Sequence, residues 1–348
     1  MLTTSAPGKT ILLGEYAVLW GGPALVVAID RRATCRFEPG EETVISAPGL
    51  GDHRPQGVST GRPLAFIAAL CDDLEVPAGR YMLDSGALYS EAGGGRQKLG
   101  LGSSAAASVA FAGAVWAARG AALDEAARER VFAQVMAAHQ RVQGGGSGAD
   151  VAASTYGGAL RYRWLEGADS VADPGRQVLP VDGVGTAVLD SLTSVQEHIL
   201  AVWTGAPADT PSFIRQVSAL EADAPTDWRR WMSELSAAAE AGVGAWMAGD
   251  LGALAITAQA TGATLEALGA AAGAPIVTDA HRAIMSVVHP HGAVVKPTGA
   301  GGGDLGWVIP GHIGDEVHIL TRLQRAGYAA WRLPISRSGL RVDETAAG

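Results

Sequence analysis

The sequence is poor in cysteine and in lysine. Cys35 and Cys71 are the only cysteines among 348 residues, so we expect no disulfide framework and a reducing, cytoplasmic setting. Lysine supplies three of the 26 basic residues. The formal net charge of −9 argues against a nucleic-acid partner, but it leaves the charge of a substrate open, because a basic pocket can lie in an acidic protein.

Long apolar segments are lacking as well. The longest uncharged apolar stretch, Ala105–Ala118, is too short to span a bilayer and predicts a buried helix. Residues Met1–Ser5 carry no charged segment that leads into an apolar run, so we expect neither a signal peptide nor a membrane partner. The length of the chain exceeds what one hydrophobic core usually serves and favours two domains.

The central motif is the segment 98–106, which reads KLGLGSSAA. Gly100 and Gly102 allow a backbone to approach a ligand without interference from a Cβ atom. The free N–H groups and the positive dipole end of the helix that follows favour an anion. The pattern predicts a phosphate cradle. Ser103 and Ser104 are also common N-cap residues, so the alternative that they only begin the helix stays equally open.

The few lysines are placed selectively. Lys9, Lys98 and Lys296 each adjoin a glycine-bearing stretch. A lysine ammonium is a compact, rotatable charge that suits a phosphate, and the planar guanidinium of arginine does not replace it equally. We therefore favour a phosphate-binding role for these lysines over chance placement.

Two common nucleotide motifs are matched only in part. Segment Ser5–Thr10 is similar to the end of a Walker A loop, but Thr3 stands where that motif needs its first glycine. Segment Gly100–Ala105 formally fits the dinucleotide fingerprint, but polar and glycine-rich residues 91–98 precede it where a buried strand is required. The sequence favours neither of these two loops.

The first half predicts strands at Thr10–Leu19 and Ala24–Ile29 with a turn at residues 21–23. A second helix is expected from a cap at Asp124 to about Gln143, with His139 only packing in the core. The glycine-rich segment 144–148 then ends the helix and precedes Asp150, a residue type that usually caps a helix in this setting.

The second half begins after a proline- and glycine-containing stretch at 167–185, where we place a domain boundary. A strand is predicted at 198–204, helices at about 226–248, 250–269 and 278–289, and strands at 293–295 and 305–309. The last two strands flank the glycine-rich segment 297–304. Because a hairpin needs only one or two glycines, we favour close approach to a ligand there.

The stretches around Lys9, Gly100 and Gly299, in this order and spacing, resemble the three motifs of the GHMP kinase superfamily. The resemblance implies an α+β fold. Its N-terminal part, residues 1–180, would be a two-layer ATP-binding domain like ribosomal protein S5 domain 2. Its C-terminal part, residues 181–348, would be a ferredoxin-like domain. The resemblance also implies that ATP and Mg²⁺ are cofactors.

The same resemblance assigns roles to individual residues. It implies catalytic roles for Lys9, Lys98 and Asp150, and Mg²⁺ contacts for Glu15 and for Ser104 or Ser103. Nucleotide would bind at Gly100, Leu101, Gly102, Ser103, Ser104 and Ala105. The acceptor would bind at Lys9, Tyr16, Lys98, Ser147, Gly148, Asp209, Gly301 and Gly302. Whether Asp150 acts as a base or only positions its neighbours is left open.

Within the superfamily, four details resemble the phosphomevalonate kinase family more than the mevalonate kinases. They are Tyr16 in the first motif, the segment QGGGSGADVAA at 143–153, and the segments WTGAPA at 203–208 and KPTGAGGGD at 296–304. Asp209 departs from that pattern, which has serine, and Ala149 replaces a bulky aromatic residue. Both departures bear on the acceptor more than on the fold.

We therefore expect ATP-dependent phosphorylation of 5-phosphomevalonate by a monomer or homodimer. The alternatives are mevalonate kinase or another small-molecule GHMP kinase and, from a different class, a nucleotide-binding regulator without catalysis. The intact lysines, Asp150 and glycine loops argue against the regulator.

Overall fold

The centre of the fold is a pair of long antiparallel strands, Leu2–Leu13 and Pro23–Pro39. They belong to a computed structural model that describes residues 1–48, 51–53, 64–90, 97–143, 146–164, 176–180, 195 and 197–343. Their β-branched and apolar residues favour extended backbone. The first strand ends at Leu13, short of the predicted Leu19, because Gly14 and Tyr16 adopt positive φ values of 92° and 62°.

The described strands are numbered in chain order. They are β1 (Leu2–Leu13), β2 (Pro23–Pro39), β3 (Val44–Ala47), β4 (Gly51–His53), β5 (Gly79–Asp84), β6 (Tyr89–Ser90), β7 (Gln97–Lys98), β8 (Ala159–Trp164), β9 (Arg176–Pro180), β10 (Leu200–Trp203), β11 (Ala293–Pro297), β12 (Leu305–Pro310), β13 (Ala330–Arg332) and β14 (Arg341–Asp343).

The described α-helices are α1 (Ala65–Asp73), α2 (Ser103–Ala118), α3 (Glu125–Gln143), α4 (Ala149–Tyr156), α5 (Thr210–Asp223), α6 (Pro225–Ala248), α7 (Leu251–Ala272), α8 (Asp279–Val288) and α9 (Glu316–Arg325). Within the described ranges, no helix is long and apolar enough to cross a membrane. The predicted cap at Asp124 is confirmed, since its Oδ1 accepts a hydrogen bond from the N–H of Ala127 at 2.8 Å.

The larger sheet has the order β14-β1-β2-β5-β3-β4, with β8 on the free part of β2 and β9 beside β8. Helices α1 to α4 pack on one face around a shared apolar core. Two buried hydroxyls join this layer to β1: Thr4 donates to the carbonyl of Ala110 at 2.7 Å, and Ser154 donates to that of Pro7 at 2.8 Å. This is the expected two-layer arrangement.

The second sheet has the order β11-β12-β10-β13 and is antiparallel in all three pairings. Along the chain it reads strand, helices, two strands, helix, strand, which is the β-α-β-β-α-β pattern of a ferredoxin-like domain. The expected α+β fold is confirmed. One face of this sheet packs with α6 and α7 against β1 and β2, so the two sheets share a core.

The end of the described chain returns to the first sheet. Residues Arg341–Asp343 pair with Thr3–Ser5, and Arg32 holds the preceding segment by donating to the carbonyls of Ser338 and Gly339. A simple division at residue 180 therefore does not separate the sheets, because β14 completes the edge beside β1. Residues 181–194, on the C-terminal side of the division, lie outside the described part, and the boundary itself stays a prediction.

Candidate active site

A cavity of about 280 Å³ lies where β1, the loop before α2, the first turn of α4 and the glycine-rich segment before β12 meet. This volume is near the lower end of small-molecule pockets. Helices α3 and α5 contribute further parts of its walls. The lining residues used below are Lys9, Glu15, Tyr16, Gly100, His139, Ser147, Gly148, Asp150, Ala300 and Asp304.

The N-terminus of α2 is left free for a ligand. Gly102 takes the N-cap position in the left-handed conformation with φ of 71°, and no side chain caps the helix. Ser103 and Ser104 are the first two helical residues, so the alternative that they serve as N-caps is wrong. The first helical N–H groups and the half-buried Ser104 hydroxyl thus remain available to an anion, while the Ser103 hydroxyl donates to that of Tyr89 at 3.4 Å.

Lys9 lies directly against this loop. Its backbone N–H donates to the carbonyl of Leu101 at 2.9 Å. Gly8 makes that approach possible, because a Cβ at position 8 would lie 2.7 Å from the same oxygen. A Cβ on Gly102 would lie 3.1 Å from Cγ of Lys9 and 3.5 Å from Cβ of Asp150. Lys9 and Asp150 therefore flank the loop at the cavity.

Asp150 is in the first turn of α4 and not at its cap. Gly148 is the N-cap, with φ of 73°. The Oδ1 atom of Asp150 accepts from the N–H of Val151 at 3.0 Å, and the side chain is half-buried in the cavity wall. The preceding turn is fixed by Tyr162, whose hydroxyl donates to the carbonyl of Ser147. Ser147, Gly148 and Asp150 all line the cavity, and their roles toward a substrate stay predictions. Residues 144–145 lie outside the described part.

Glu15 and Lys296 form an ion pair that is completely buried. The ammonium also donates to the carbonyl of Pro297 at 2.7 Å. Burial raises the pKa of Glu15 and lowers that of Lys296, and each is opposed by the charge of its partner. The Oε2 atom of Glu15 has no hydrogen-bond partner among the described residues. Lys296 therefore neutralises a carboxylate in the cavity wall and does not itself reach the cavity.

The glycine-rich segment before β12 packs closely against other parts of the chain. The Tyr16 hydroxyl donates to the carbonyl of Ala300 at 2.6 Å, which joins the first motif to this segment. A Cβ on Gly301 would meet the carbonyl of Ile276, and a Cβ on Gly302 would meet the Phe213 ring. At these two glycines it is another part of the chain, and not a ligand, that comes close to the backbone. The contact of Gly301 and Gly302 with a substrate stays a prediction.

Asp304 is a site residue that sequence reasoning placed in a motif without a role. It has a positive φ of 54°, and its Oδ1 accepts from the N–H of Ala208 at 3.3 Å. A Cβ on Gly100 would lie 2.6 Å from its Oδ2. Burial raises the pKa of Asp304, and the charges of Lys9 and Lys98 oppose that shift. The only sequence signal was its position at the end of the GGGD run.

Lys98 and Asp209 lie outside the cavity lining. Lys98 is exposed on β7, where its charge acts on Asp304. Asp209 is exposed and caps α5, its Oδ1 accepting from the N–H of Ser212 at 3.2 Å. This local partner explains why an aspartate is tolerated there, since serine and aspartate are both good N-caps. Their proposed contacts with substrate stay predictions.

The described residues contain no group of three or more histidine, cysteine, aspartate or glutamate side chains that could hold a metal. Mg²⁺ is usually held by one or two carboxylates together with substrate phosphates. Asp150 lines the cavity and forms no ion pair among the described residues, whereas Glu15 offers only its unpaired Oε2, since its Oε1 binds Lys296. The Mg²⁺ contacts expected of Glu15 and Ser104 stay predictions.

Comparisons with known proteins agree with this geometry. Residues 80–158 match the model described as the GHMP kinases N terminal domain. A phosphomevalonate kinase from a Streptomyces species is 29% identical over 359 residues, covering 92% of this chain and 94% of that protein. A mevalonate kinase from Methanothermobacter thermautotrophicus is 33% identical over 170 residues, 45% of this chain and 49% of that protein.

A solved structure shares the fold along the whole chain. It is the Streptococcus pneumoniae phosphomevalonate kinase in complex with phosphomevalonate and AMPPNP, with a TM-score of 0.74 and 18% identity over 96% of this chain and 100% of that one. The fold is that of the GHMP kinases, and the similar kinases together with the matching family model indicate the class of protein, a phosphotransferase. The chain carries the GHMP kinase N-terminal domain at residues 80–158.

Proposed function

We propose that the protein transfers the γ-phosphoryl group of ATP to 5-phosphomevalonate. The observation that carries the proposal is that Lys9 and Asp150 line one small cavity together with Gly100, while the open N-terminus of α2 at Gly102 lies against both side chains. The Streptomyces phosphomevalonate kinase, similar over nearly the full length of both chains, supports the choice of acceptor.

Phosphoryl transfer depends mainly on positioning and on stabilising the charge of the transferred group. The N–H groups at Gly102 to Ser104 would bind nucleotide phosphates, and the Lys9 ammonium beside them would neutralise the charge that develops during transfer. The cavity volume suits a small acid beside the loop.

Lys9 is the cation that the described cavity lining offers to an anionic acceptor, and the carboxylates of Asp150 and Asp304 line the same cavity. Lys296 neutralises Glu15, so the Lys9 charge is not consumed by that carboxylate. A phosphate monoester has a second pKa of about 6 and is mostly ionised at neutral pH. No strong base is then needed, and Asp150 would position the acceptor and the metal.

Mg²⁺ fits the donor set when the nucleotide phosphates complete it. Ser104 and Asp150 would hold the ion, and when bound it would neutralise charge on the phosphates. The other proposed contacts with the nucleotide and the acceptor are made by side chains and backbone N–H groups of this chain.

Mevalonate is the second candidate acceptor. One argument for it is the similarity to the Methanothermobacter mevalonate kinase, which is 33% identical over 45% of this chain. A second is the Asp150 carboxylate at the cavity, because an alcohol acceptor needs a base.

A coupled assay of ADP release, with saturating ATP and Mg²⁺, separates the two. We expect turnover with 5-phosphomevalonate to exceed turnover with mevalonate by at least about tenfold in kcat/KM, the value of one charge-assisted hydrogen bond to the extra phosphate. Preference for mevalonate, or ADP release that no acid of this class stimulates, would contradict the proposal.

A further inference from the structure

His139 lies in the cavity wall although the sequence predicts only a packing role for it. It belongs to α3, and residues Met136 and Gln140 of the same helix face the cavity with it. The side chain is 5% exposed. A polar ring is therefore almost completely buried at the edge of a small-molecule pocket.

The plane of the His139 ring is fixed by Phe66 of α1. The two ring centroids are 4.2 Å apart and the planes are inclined by 27°. Stacking holds one face of the imidazole and leaves its two nitrogens to act in the ring plane. The ring is thus oriented before any ligand binds.

The Nε2 atom of His139 has no hydrogen-bond partner among the described residues, although it is buried. Buried polar atoms are almost always paired, and an exception calls for a ligand, a water molecule or another explanation. The open cavity beside the ring supplies the space for such a partner.

Burial keeps the His139 ring neutral, so its nitrogens can act as hydrogen-bonding groups. Burial lowers the pKa of His139, and the carboxylate of Asp150 opposes that shift. A neutral imidazole offers one N–H donor and one acceptor. An N–H on Nε2 binds an anionic oxygen without the cost of burying a second full charge.

We propose that Nε2 of His139 donates a hydrogen bond to an anionic oxygen of the acceptor, which makes His139 a specificity-determining residue of the acceptor site. The inference rests on the proposed function, because it assigns the cavity to an anionic acceptor. It adds a donor on α3 to Lys9 on β1, so that the acceptor is held from two walls.

Two substitutions separate hydrogen bonding from packing. His139→Leu keeps an apolar side chain against Phe66 and removes the donor, whereas His139→Gln keeps a donor. We expect His139→Leu to raise the KM for 5-phosphomevalonate about tenfold or more and to leave the KM for ATP within about twofold. His139→Gln should recover a large part of the loss. His318→Leu, the same change at an exposed histidine, is the control.

Nitrogen-15 NMR of the imidazole tests the contact without turnover. The His139 signals are assigned by their disappearance in His139→Gln, and wild-type protein is titrated with 5-phosphomevalonate in the presence of AMPPNP. We expect the Nε2 resonance to shift on binding. The methyl ester of the acceptor's carboxylate is titrated in parallel, so that loss of the shift identifies the carboxylate and its retention identifies the phosphate.

The outcomes distinguish the two proposals. The role of His139 is overturned if both variants keep the wild-type acceptor KM and the Nε2 resonance does not move. If the wild type still turns over the acceptor in that case, the proposed function is left intact. A wild type that binds and phosphorylates none of these acids overturns both. Equal losses in His139→Leu and His139→Gln, with a matching rise in the KM for ATP, show that the ring only packs.

Discussion

Lys9 and Lys296 carry the same charge in two different environments. Lys9 is half-buried, lines the cavity, and forms no ion pair among the described residues. Lys296 is fully buried and paired with Glu15. A buried ammonium needs its counterion for folding, whereas an open one is available to a ligand. Proximity to glycine-rich segments therefore does not by itself identify a phosphate-binding lysine.

The largest expected effect is on stability. Lys296→Met leaves Glu15 buried without its counterion, and removing one partner of a buried pair costs about 3–5 kcal/mol of unfolding free energy. Urea unfolding followed by circular dichroism measures the loss. The double variant Glu15→Gln with Lys296→Met, in which no charge remains, should lose clearly less. An equal loss in both variants would contradict this account.

The same variant should be more unstable at higher pH. With Lys296 gone, burial still raises the pKa of Glu15 above its unfolded value of about 4.3. Above that pH the folded state binds more protons than the unfolded state, so stability falls as the pH rises through the folded pKa. The double variant should lack this dependence.

The second effect is on catalysis. Lys9→Met keeps the length of the side chain and removes its charge beside the α2 loop, so we expect kcat/KM to fall about 10²–10³-fold. The free energy of unfolding should change by no more than about 0.5 kcal/mol. If Lys9→Met lost as much stability as Lys296→Met, the proposed difference between the two lysines would be wrong.

The third lysine should give a smaller effect. Lys98→Ala removes an exposed charge that acts on Asp304, and we expect kcat/KM to fall about tenfold, the value of one charge-assisted hydrogen bond. Arg229→Ala, an exposed arginine outside the motifs, is the matched control. Near-wild-type kcat/KM for Lys98→Ala would exclude Lys98 from the site.

The smallest effect concerns Asp209. Asp209→Ala removes the cap of α5 and should cost about 1 kcal/mol of stability, whereas Asp209→Ser keeps a capping oxygen and should cost almost nothing. Because the carboxylate is exposed and bonded to Ser212, we expect the acceptor KM of Asp209→Ser to equal that of the wild type. A lower KM would show that the carboxylate faces the acceptor.

The sequence was sufficient where local chemistry decides the structure. The glycines before α2, the cap at Asp124 and the strands on either side of segment 297–304 all follow from short-range preferences, and the structure has them. The α+β fold followed from the resemblance of three motifs. These features depend on neighbouring residues or on a recognisable order of motifs.

The remaining features depend on residues distant in sequence. The pairing of Glu15 with Lys296 joins positions 281 residues apart, and the return of β14 to β1 is also long-range. His139 has the spacing of a core residue on α3, and only the tertiary structure shows that its face borders a cavity. The use of Gly301 and Gly302 for packing required knowledge of Ile276 and Phe213.

The central claim is that the site positions an acceptor that is already ionised, with Asp150 holding and not deprotonating it. The most direct test compares kcat of the wild type and of Asp150→Asn with 5-phosphomevalonate between about pH 7 and 9, at saturating ATP and Mg²⁺. A monoester with a second pKa of about 6 stays ionised in this range, so we predict a deficit that does not change with pH. A deficit that shrinks steeply as the pH rises would show that proton removal limits the reaction and would contradict the claim.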